Sequence, residues 1–193
     1  MSKGPSRAEE LLAAAADLVL QSGLQDLSLR SLAERLGTSH RMLIYYFGSK
    51  EAFMQALLRR LRITEQMRLR DYEESPASPA ERMLAAWDFL ASEPMRAHFK
   101  LLFEVYGAAI RDPERYQAFL DDTVREWLPM LEMWGDLLFP ELGERNKAGA
   151  RLQLAVTRGL LLDLLTTDDL EGVREAMRLH AELLESYANR LTP

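Results

Sequence analysis

Between residues 28 and 50 the chain gathers side chains that donate hydrogen bonds or carry positive charge: Arg30, Ser39, His40, Arg41, Tyr45, Tyr46 and Lys50. Their spacing has neither the Ser/His/Asp order of a nucleophile with its base nor the paired carboxylates of acid–base catalysis. It suits the recognition of acceptors on a partner. Arg41 matches the two acceptors on the major-groove edge of guanine, and Ser39, His40, Tyr45 and Tyr46 can bond to bases or phosphates. Arg30 and Lys50 can each hold a phosphate.

Two short helices must position this set. Leu29, Leu32, Ala33 and Leu36 form the apolar stripe of the first, which Ser28 can cap and Gly37 ends. Thr38 or Ser39 caps the second, His40 to Phe47, and a break at Gly48-Ser49 leads into a long helix from Lys50 to about Glu73. Leu32, Ala33, Leu36 and Leu43 supply a small core, which is helix-turn-helix spacing. A tight turn there projects the second helix so that its first residues reach the major groove. A plainer account stands beside this one, since paired short helices also occur in proteins that never meet nucleic acid. On that account Tyr45, Tyr46 and Phe47 plug a helix junction and the cations are solvated. The clustering of the cations around one turn favours the first account.

Net charge points the same way. The 193 residues carry −6 overall, but residues 1–70 hold 11 Lys+Arg against 7 Asp+Glu, a net of +4. The remainder is −10, a basic head on an acidic body. With no cysteine, disulfide frameworks, thiolate metal sites and cysteine nucleophiles are excluded. His40, His98 and His180 are too widely separated for a local zinc motif, and nothing calls for a cofactor or metal. The amino terminus lacks the apolar core of a signal peptide. The most apolar stretch, Leu152 to Leu165, is interrupted by Arg158 and Asp163 and is too short to span a membrane. A cytoplasmic protein without membrane contact is expected.

Nearly every window reads with a helical period, so the fold class is all-α, with about nine helices. Ser75-Pro76-Ala77-Ser78-Pro79 is the clearest punctuation. Beyond it, helices are expected near 80–91, 95–111, 113–138, 145–167 and 170–191. Two domains are expected: a helix-turn-helix head over residues 1–49, and a body over 50–193 whose first helix, 50–74, is the connection.

The run Leu27-Ser28-Leu29-Arg30-Ser31-Leu32-Ala33-Glu34-Arg35-Leu36-Gly37-Thr38-Ser39 resembles the helix-turn-helix of the tetracycline-repressor (TetR) family. Leu43-Ile44-Tyr45-Tyr46-Phe47-Gly48-Ser49-Lys50-Glu51 resembles that family's ending, an aromatic, a short break and S-K-E. The likeness covers about residues 8–60. It implies phosphate contacts from Ser28, Arg30, Tyr45 and Lys50, and base contacts from Ser39, His40, Arg41 and Tyr46. Two positions depart from the pattern. Ile44 stands where the family usually has a phosphate-touching tyrosine, and Arg41 where it often has a small residue.

The body is rich in aromatics and methionines, of which Trp87, Phe103, Tyr106 and Trp127 are selected as lining for a small apolar ligand. Most such residues simply fill cores. In the last helix Val173, Met177, Ala181, Leu184, Ala188 and Leu191 form an apolar seam. Leu152, Val156, Gly159 and Leu160 form another before it. These seams suit either association or packing within one chain, and the resemblance implies a homodimer through the last two helices. The expected function is a transcription regulator, by family habit a repressor, released from a pseudo-palindromic operator by a small apolar effector. The alternatives are a regulator needing no ligand, or a helical carrier or enzyme.

Overall fold

The computed structural model describes residues 6–22, 29–69, 75–117, 119–121 and 127–191. Among these, all regular structure is helical: α1 (Arg7–Ser22), α2 (Leu29–Arg35), α3 (His40–Phe47), α4 (Lys50–Leu69), α5 (Pro79–Leu90), α6 (Glu93–Arg111), α7 (Trp127–Leu138), a 3-10 segment (Pro140–Arg145), α8 (Asn146–Thr167) and α9 (Leu170–Asn189). The expected stop at Gly23, the cap at Ser28 and the end of α4 near Glu73 lie outside the described residues.

Local chemistry explains most boundaries. Glu9 N–H donates to Ser6 Oγ at 3.3 Å and Ser6 N–H to Glu9 Oε2 at 2.6 Å, a reciprocal cap at the start of α1. Ser78 and Glu81 repeat the device on α5, with Pro79 in the first turn. These backbone hydrogen bonds hold both glutamate carboxyls below their usual range. Pro94 also falls in a first turn, where its missing N–H costs nothing, so α6 begins at Glu93 rather than 95. The helix expected from residue 113 instead opens with a turn over residues 113–116, and helix resumes at Gln117. Asp112 favours that turn by accepting from the Arg115 N–H at 3.4 Å.

The chain groups into two compact units, Met1–Met67 with Glu93–Ala108, and Arg68–Ser92 with Ala109–Pro193. In the first, α1 buries Leu11, Ala15 and Val19, α2 buries Leu29, Leu32 and Ala33, and α3 buries Leu43. Phe53, Leu57 and Leu61, one face of α4, and Leu101 of α6 complete this core. In the second, α9 runs along α5 and α8, and α7 packs on α8. Arg174 grips Asp88 through two hydrogen bonds of 2.7 and 2.8 Å, tying α9 to α5. The buried Asn146 donates to the Glu132 carbonyl at 2.6 Å and to Asp136 Oδ1 at 2.7 Å. Its amide lies so close over Gly135 that a Cβ there would overlap it.

The seam on α9 does not face outward. Val173, Met177, Ala181 and Ala188 are buried inside the single chain. The helix carries a second stripe, Ala176, Leu179 and Leu183, which is exposed. Periodicity detects an apolar stripe without saying what covers it, and the more continuous of the two belongs to the core. On α8, Leu152, Gly159 and Leu162 are exposed, as is Asp163.

Candidate nucleic-acid interface

The connection from α2 to α3 turns on Gly37, whose φ of 64° is left-handed backbone that a side chain would strain. Gly37 N–H bonds to the Glu34 carbonyl and Thr38 N–H to that of Ala33, closing α2. Ser39, extended at φ −112°, caps α3 by accepting from the Met42 N–H at 3.2 Å. Gly48, at φ 84°, closes α3, and Ser49 caps α4 through the Ala52 N–H at 3.0 Å. Local hydrogen bonds therefore hold both ends of the eight-residue helix.

Leu43 points inward and is wholly buried, so the opposite face of α3 is set. That face carries Arg41 and Tyr45, both exposed, Tyr45 at 78%; Ser39 and His40 are exposed at the amino-terminal end of the helix. Tyr46 is half-buried, its ring edge-on to Tyr45 at 5.3 Å. Phe47 sits edge-on to Phe53 at 5.0 Å and plugs the junction of α3 with α4. Arg30 is exposed on α2, with Glu34 Oε1 3.6 Å from its Nε. A pair so exposed contributes little and leaves the guanidinium open to exchange partners. Lys50 is exposed at the start of α4, on the rim of a crevice of about 50 Å³ lined by Leu29, Leu32, Met54, Leu57, Leu101 and Glu104. Ser28 lies outside the described residues. Ile44 is half-buried.

Residues 11–57 of this geometry match the family model described as bacterial regulatory proteins, tetR family. Over those residues the chain is similar to the tetR family. Among curated relatives, the regulator BetI of Serratia proteamaculans is 28% identical over 114 residues, 57% of this chain and 58% of that protein. The repressor KstR2 of Mycobacterium tuberculosis is 29% identical over 136 residues, 69% of this chain and 65% of that one. The chain thus spans about three-fifths of the length of the curated relatives it matches. The helical architecture extends further. A transcriptional regulator from Rhodococcus sp. Rha1 superposes with a TM-score of 0.70 at 23% identity, over 93% of this chain and 96% of that one. A regulator from Saccharomonospora viridis, solved in complex with choline, superposes at 0.66 with 21% identity, over 91% and 93%.

The ligand-lining selection divides between the two units. In the first, the half-buried Phe103 and Tyr106 stack in tilted fashion with ring centroids 6.3 Å apart. In the second, Trp127 is half-buried and Trp87 is 1% exposed, its indole N–H buried without an acceptor among the described residues. No helix among the described residues is long and apolar enough to cross a membrane. One outward side chain that the sequence reading passed over is Met42, in the third position of α3 and 39% exposed. Its place on the helical wheel, 100° from Leu43, was the available signal.

Proposed function

We propose that this chain is a DNA-binding transcription regulator of the tetR kind that recognises a pseudo-palindromic operator as a homodimer. The observation carrying this reading is α3 itself, capped at both ends and anchored by Leu43, with Ser39, His40, Arg41 and Tyr45 exposed along it. Ser39, His40, Arg41 and Tyr46 are assigned to base edges, and Ser28, Arg30, Tyr45 and Lys50 to phosphates. Residues 1–49 act as the head and 50–193 as the body, with 50–74 joining them. The sign of regulation is repression, which the name of the KstR2 relative supports.

Dimerisation uses the last two helices through their exposed stripes, Leu152 and Leu162 on α8 and Leu179 and Leu183 on α9. It sets two recognition helices about 34–36 Å apart or somewhat further, to reach successive major-groove faces. A small apolar effector releases the operator by favouring one dimer geometry over another. Supporting this, the buried Trp87 N–H lacks an acceptor among the described residues, which a ligand's polar atom would supply. The fold neighbour from Saccharomonospora viridis was solved with a small molecule.

The test is selection of bound sequences from random duplex DNA, with the Arg30→Ala/Lys50→Ala protein as control. An enriched palindrome, lost in the control, is the expected result. Weak, salt-sensitive binding without enrichment would refute the reading.

A further inference from the structure

Met42 is a large apolar side chain left in solvent among hydrogen-bonding and cationic neighbours. At 100° per residue, Arg41 and Tyr45 lie about 160° to either side of Leu43, and Met42 lies about 100° away on Tyr45's side. Its backbone N–H is satisfied by Ser39 Oγ at 3.2 Å, which fixes its place one turn before Tyr45 and Tyr46. The tyrosine rings meet edge to face at 5.3 Å. Met42 and Tyr45, 39% and 78% exposed, therefore lie about 60° apart on one flank of α3, with Arg41 across the outward face from them.

A thioether donates no hydrogen bond and accepts only weakly, so Met42 has little to offer phosphates or the polar edges of bases. The major groove holds one apolar group, the C5-methyl of thymine. Met is unbranched and polarisable, suited to closing on a methyl whose position shifts slightly with the duplex. The charge surrounding the flank fits the same partner, because residues 1–70 carry a net +4. We propose that Met42 selects a thymine in each operator half-site by contact with its methyl group, with Tyr45 covering the outer side. This assignment rests on the DNA-binding reading above and names a specificity determinant within it.

The test replaces thymine by deoxyuridine, one position at a time, in the palindrome recovered by selection. The exchange deletes the methyl and keeps every hydrogen-bonding group. At one thymine per half-site the full-length protein should lose about fourfold in affinity, the value of one methyl removed from contact. Met42→Ala should bind the thymine and deoxyuridine duplexes equally at that position while retaining the palindrome. Met42→Gln, of similar length but polar, should behave likewise, and circular dichroism should find both variants folded. If no thymine is sensitive, or if both variants keep the wild-type sensitivity, the role of Met42 is overturned while the DNA-binding reading stands. If selection recovers no palindrome, both are overturned.

Discussion

His98 offers a quantitative test of the packing in the first unit. Its ring is 2% exposed, edge-on to Phe99 at 4.9 Å. Burial first, and the positive charge of Arg62 second, push it down from 6.5 to about 4. Between these values the unfolded chain takes up a proton that the folded protein refuses. The unfolded state then binds more protons, so stability falls as pH falls through this window and is unaffected above it. The loss attributable to this residue is about 2 kcal/mol at pH 5, approaching about 3 kcal/mol near pH 4. For a chain of this length that is a melting temperature about 4–8 °C lower at pH 5 than at pH 7. His98→Leu removes the titrating group while keeping an apolar side chain of similar volume. Thermal melts at pH 5, 6 and 7 should therefore show wild type losing more stability than the variant. Parallel losses in the two proteins would mean that the ring is not held neutral by its surroundings, and the reasoning would fail.

Other expectations follow from particular contacts. Gly135→Ala places a methyl where the Asn146 amide lies and breaks that amide's two hydrogen bonds, costing about 2–4 kcal/mol. Gly135→Ala/Asn146→Ala should cost less than the sum of the single changes, as urea melts of all three variants would establish. Leu179→Glu/Leu183→Glu should leave the fold intact and convert a dimer to monomers in sedimentation, whereas Met177→Glu should unfold the chain. Lys50→Ala should weaken binding to all duplexes alike and reduce the magnitude of the salt slope by about 1. Arg41→Ala should instead relax preference at one base pair. Equal, sequence-independent losses from both would remove Arg41 from base reading.

Much of the head was legible in the sequence because its signals are local. Gly37 and Gly48 mark positive φ, Ser39 and Ser49 cap the helices that follow, and the four-residue spacing of Phe53, Leu57 and Leu61 names the buried face of α4. Each is a matter of a few neighbouring residues, where backbone sterics and hydrogen bonding leave one economical arrangement. The membership of α6 in a compact unit with α1 to α4 was not legible, since nothing local in Leu101 says what it will meet. Nor was the burial of His98, or the close approach of the Asn146 amide to Gly135. The clearest case is α9, which has two apolar stripes of similar period. Only contact with α5 and α8 decided that Val173, Met177 and Ala181 turn inward while Leu179 and Leu183 remain outside. Helical period is a property of one segment, but burial is a property of two surfaces, and the second surface lies far away in the chain.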